Sequence, residues 1–161
     1  MPLLAPTLAK ALTAIDLYGD EVQTIQAWTG AWMEYISQAL GGGIPAKYKA
    51  LAGPRKAMES ALIGMSVPNA GPGKIQAGIV AFWSSMVGAT AAVFPGTIPP
   101  LTPPPGIGGI GSAIRSIASS NTAGNLTKYQ AYLNLANAIH PQNLGGKVTL
   151  PGSPPTVAPI T

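Results

Sequence analysis

The chain has 161 residues, 47% hydrophobic but only 9% charged, with 20 glycines, 17 prolines, one histidine and no cysteine. That length holds one modest domain with a core of its own, and the composition excludes disulfides, thiolate chemistry and a His/Cys zinc site. Net charge is +4; residues 60–161 carry Lys74, Arg115, Lys128 and Lys147 and no carboxylate, too sparse a set for nucleic acid, which needs clustered Lys and Arg.

The N-terminus, MPLLAPTLAKAL, lacks the basic n-region of a signal peptide. Pro6 and Thr7 suit the start of a first helix, with Leu4, Leu8, Leu12 and Ile15 at helical spacing. Gly19 interrupts it, and Asp20 is placed to cap the next helix by accepting from its first amides. That helix carries a stripe of Val22, Ile25, Trp28, Trp32, Ile36 and Leu40, and the three glycines at 41–43 stop it. Pro45 suits the start of a third helix and Pro54 restarts it, with Met58, Ala61, Leu62 and Met65 on its apolar side. VPNAGPG, 67–73, reads as a loop.

A fourth helix, 74–94, has Ile75, Ile79, Phe82, Trp83, Met86 and Val87 on one side. No charge falls between Lys74 and Arg115. A membrane span near 75–94 is therefore one reading, since about 20 residues of helix cover a bilayer core. Ser84, Ser85, Thr90 and two glycines weaken it, and Trp83 lies mid-span rather than at an interface. A central helix buried nearly all round explains the missing charges better.

The proline-rich stretch 95–106 can be neither helix nor central strand. Its φ angles are already restricted, so it loses little entropy on ordering, which suits a strap lying on a neighbouring subunit. Ile107, Ile110, Ile114 and Ile117 keep helical spacing among costly glycines. The run 125–140 is a stronger helix, with Leu126, Tyr129, Leu133, Ala136 and Ile139 on one face and Pro141 at its end. KVTL, 147–150, is one short strand, and 151–161 is an extended tail with further prolines.

The expected fold is thus mainly α: a helical N-terminal part over 1–94, the Pro-rich strap 95–106, a helical C-terminal part with one short strand over 107–150, and the extended tail 151–161. Long Pro/Gly-rich irregular connections join the helices. Trp28, Trp32, Phe82 and Trp83 are expected to anchor them.

Catalytic constellations are missing from this pattern. His140 stands alone beside Pro141, where it suits a terminal carbonyl or the helix dipole. The carboxylates Asp16, Asp20, Glu21, Glu34 and Glu59 show no paired spacing that includes it. GPGK, 71–74, resembles a phosphate loop but lacks the following Ser or Thr, and GIGGIG, 106–111, opens no dinucleotide-binding unit. The tyrosines interleave with no Arg or Lys platform for bases. No catalytic, cofactor-binding or metal residue is therefore assigned, and no cofactor.

AFWSSMVGATAAVFPG, followed later by YLNLANAIH and GGKVTLPG, resembles small structural proteins of tailed bacteriophages over about residues 75–161. Such a resemblance implies a non-catalytic subunit of the virion, in tail, baseplate, neck or head, contacting other virion proteins in many symmetric copies. It carries over no functional residue.

Overall fold

The computed structural model describes residues 3–15, 20–39, 52–93, 101–121, 126–150 and 156–159. Within them the chain is mainly helical: α1 (Ala5–Thr13), α2 (Glu21–Ala39), α3 (Ala52–Leu62), α4 (Gly71–Val93), α5 (Ile110–Asn121) and α6 (Lys128–Ile139). Short 3-10 turns occupy Ile107–Gly109 and His140–Asn143. Three small strands, β1 (Leu101–Thr102), β2 (Lys147–Leu150) and β3 (Thr156–Pro159), form one antiparallel sheet in the order β1-β2-β3. Asp16, Tyr18, Gly19, the glycines at 41–43, Tyr48 and the Pro45 helix start lie outside the described residues, as do Phe94 and residues 95–100 of the strap.

Local chemistry explains the helix ends. Pro6 stands in the first turn of α1, where a missing N–H costs nothing. Asp20 caps α2 as its spacing predicts, its Oδ1 accepting from the Gln23 N–H at 2.7 Å. Thr127 and Gln130 form a capping box at α6: the Gln130 N–H donates to Thr127 Oγ1 and the Thr127 N–H to Gln130 Oε1. Lys128 Nζ then donates to the Ile15 carbonyl at 2.7 Å, tying this end of α6 to the chain just past α1.

α3 packs along α4, α1 lies between α2 and α6, and α5 bridges α4 and α6. Leu8, Leu12, Trp32, Tyr35, Ile36, Met58, Leu62, Ile79, Phe82 and Trp83 are almost wholly withdrawn from solvent. Three of the four aromatic anchors form a chain of rings, and Trp28 is buried. Trp32 meets Phe82 edge-on at 5.9 Å between centroids, and Phe82 meets Trp83 edge-on at 5.4 Å.

Several expectations need correction. No helix among the described residues is long and apolar enough to cross a membrane, so the span near 75–94 is not supported. The apolar side of α4 is spent on the domain's own core, through Ile75, Ile79, Phe82, Trp83 and Met86. Nor is α4 buried all round: Gly73, Ala77, Ser84, Gly88 and Ala91 form an exposed stripe without charge. Val22, Leu4, Leu126 and Tyr129, assigned to buried faces, are exposed: each lies in or just before the first turn of its helix, and Val22 and Tyr129 line open grooves rather than closed contacts.

The single expected strand is the middle of three. Leu101 pairs with Val148 and Thr102 with Lys147, while β3 pairs with β2 from Lys147↔Pro159 to Leu150↔Thr156. The described half of the strap therefore rests on its own chain, with Leu101 and Pro104 buried. Gly106 explains the closeness of that approach. A Cβ there would stand 2.9 Å from Gln142 Cα and 2.6 Å from its Oε1, so the 106 turn meets the 140–143 turn only without a side chain.

Candidate functional site

Three features merit a functional reading: a polar cluster inside the core, two grooves, and the exposed stripe of α4.

The polar cluster joins α2, α4 and the 140–143 turn. Trp83 donates its indole N–H to Asn143 Oδ1 at 3.1 Å, and Asn143 Nδ2 donates to the Ile139 carbonyl at 3.0 Å. Asn143 is fully buried, so both bonds offset the desolvation of its amide. Beside it, the Tyr35 hydroxyl lies 2.9 Å from His140 Nδ1, with the rings tilted edge-on at 6.2 Å. Burial pushes the Tyr35 phenol far above its usual range and holds His140 below its ordinary value. The expected carbonyl-capping role of the His140 side chain is thus replaced by a bond to Tyr35, while the His140 backbone N–H closes α6 on Ala136. Trp32, also fully buried, leaves its indole N–H without an acceptor.

The grooves are open. One, about 200 Å³, lies between α2 and α3 and is lined by Val22, Ile25, Gln26, Glu59, Ser60 and Ile63. The other, about 330 Å³, is lined by Pro6, Thr7, Lys10, Glu34 and Tyr129.

Three of the described carboxylates serve structure. Asp20 caps α2, and Glu21 Oε1 accepts from the Gly64 and Ser66 N–H groups, holding the turn after α3 against the start of α2. Glu59 pairs with Arg55 at 2.9 Å, an exposed i,i+4 contact of small energetic value. Among the described residues no group of three or more His, Cys, Asp and Glu side chains is placed to hold a metal. GPGK forms the first turn of α4, with Lys74 folded over Gly64, and GIGGIG forms the 3-10 turn and the start of α5. Gln76 of α4 accepts from the Gly111 N–H at 2.8 Å, so a side chain from another helix satisfies one free amide of α5.

Sequence reasoning missed Tyr35, Gln76 and Asn143. Only Asn143 had a local signal, a polar residue four beyond Ile139 in a proline turn. No family model, no characterised protein and no solved structure matches the chain.

Proposed function

We propose that the protein is a non-catalytic structural subunit of a tailed-bacteriophage virion, present in many symmetric copies and bridging neighbouring subunits in the tail or baseplate. The observation that carries this reading is the uncharged outer face of α4. Its exposed positions, Gly73, Ala77, Ser84, Gly88 and Ala91, lack both charge and bulk. A solvated helix face ordinarily carries charge. Interface centres are depleted of Lys, Glu and Asp, and small residues let a second backbone come close. The resemblance over residues 75–161 supplies the phage assignment. The reading needs no cofactor and no nucleic acid.

Residues 95–100, ahead of β1, and the segment 151–161, through the free edge of β3, are the further parts that reach neighbours. Restricted φ angles lower the cost of ordering them on a partner. The outer edge of β3, with Val157 exposed, offers a backbone ladder to such a neighbour.

Co-expression with the products of the genes flanking its own tests the proposal. Sedimented particles would be imaged by electron microscopy and their proteins counted by mass spectrometry. The chain should occur in many copies per particle, and Ser84→Arg should abolish incorporation while leaving the circular dichroism of the isolated subunit unchanged. A chain that stays out of every particle, or a Ser84→Arg variant that enters as well as the wild type, overturns it.

A further inference from the structure

We infer that Tyr35 and His140 form an acid-released clasp, which holds the 140–143 turn and the sheet that follows it against α2. The geometry rests on one bond between residues 105 apart in sequence. Tyr35 is fully buried, and His140 Nδ1 is the acceptor described for its hydroxyl proton. Neutral His140 therefore carries its proton on Nε2 and accepts at Nδ1, which satisfies both groups. An imidazolium has no lone pair to offer. Its Nδ1–H must donate to the Tyr35 oxygen, and the phenolic proton is then turned into a core with no described acceptor. Protonation thus converts a satisfied pair into a buried unsatisfied donor beside a partly desolvated charge.

Few other groups bear on His140. From α2 the titratable side chains are Tyr35 and, next to it, the exposed Glu34, which lines the groove with Lys10 and Tyr129. From α6 they are Lys128, which bonds the Ile15 carbonyl, Tyr129 on the groove, and Tyr132, half-buried with its phenol raised by burial. α4 beyond Lys74 and the 106–109 turn contribute none, since no ionisable residue lies between Lys74 and Arg115. On the strand that follows, Lys147 is exposed. The ion pair described in the molecule is Arg55–Glu59 on α3, and neither member bonds His140. Among the described residues no carboxylate is thus paired with His140 to hold the imidazolium in place.

The released turn lets His140 regain its ordinary affinity for a proton, so acid favours release and neutral pH favours closure. What opens is set by the same turn. Asn143, three residues on, holds the Trp83 indole, and β2 begins at Lys147.

The chain has one histidine, so its imidazole Cε1–H resonance reports a single titration. The wild-type midpoint is expected below the ordinary value of about 6.5. Tyr35→Phe should raise it, because the bond that favours the neutral ring is gone. Hydrogen exchange of the Trp83 indole N–H and the 144–150 amides, corrected for the chemical rate, should quicken severalfold between about pH 7 and pH 5 in the wild type. His140→Asn, whose amide can accept near the Nδ1 position at any pH, should lose that acceleration. A midpoint unmoved by Tyr35→Phe overturns the clasp, as does an acceleration that is absent in the wild type or persists in His140→Asn. If His140→Asn fails to fold, the Tyr35→Phe titration decides alone.

Discussion

Two buried tryptophans with the same side chain have opposite polar accounts. Trp83 donates to Asn143, whereas the Trp32 N–H has no acceptor and already bears its desolvation penalty in the folded state. Replacing either by Phe removes similar apolar volume. At position 83 it also strands the Asn143 carbonyl oxygen in the core; at position 32 it removes an unsatisfied donor. Trp83→Phe should therefore destabilise by about 1–3 kcal/mol more than Trp32→Phe, read as a lower urea midpoint at unchanged slope. Equal costs would mean that the Trp83–Asn143 bond contributes nothing net. The same reasoning makes Asn143 the most exacting polar position described: its amide bonds on both sides, and neither group could reach water in compensation.

At the scale of the helices, α4 shows how position outweighs propensity. Gly78 and Gly88 are interior to the same helix, and each costs about 1 kcal/mol against Ala in an open helix. A Cβ on Gly78 would stand 3.0 Å from both Cγ and Cδ2 of Leu62, itself fully buried, and 3.4 Å from Met58 Cγ. A Cβ on Gly88 would meet nothing within 4 Å. Gly88→Ala should raise stability by about 0.5–1 kcal/mol. Gly78→Ala should lose that gain or reverse it, because Leu62 has no free space to retreat into. Chemical denaturation of the pair checks the contrast, and equal gains would show that α3 and α4 are less tightly apposed. The start of α5, preceded by the glycines at 106, 108 and 109 and costly alone, holds because Gln76 bonds the Gly111 amide from α4 and because Ile110 and Ile114 are buried.

Over the whole molecule, the helices form the core and the sheet is an attachment to it. β1 is two residues long and β2 and β3 four each, short of what stands alone in water. β3 pairs with the full length of β2, so deletion of residues 151–161 takes away the longer partner. Helical circular dichroism should survive that deletion, while amides at 147–150 exchange faster. On the proposed function, incorporation into particles should also fail. A truncated chain with unchanged exchange at 147–150 would detach β3 from any role in holding β2.

By itself the sequence determined the helical class, because stripes such as Trp28, Trp32 and Ile36 or Ile75, Ile79 and Phe82 are a local property of period 3.6. It determined the Asp20 cap, likewise a local property, and the T-x-x-Q of the α6 capping box is equally legible. It also showed the sparse charge of residues 60–161, which composition alone displays. Only the tertiary structure decided which ends of those stripes are covered, since Val22 and Tyr129 obey the period and still face solvent. Tertiary structure alone paired Leu101 with Val148, because strands this short have no periodicity to read. It alone moved His140 from the helix end to Tyr35: the two are remote along the chain, and a hydrogen bond between remote residues is set by how helices pack, which no local pattern encodes.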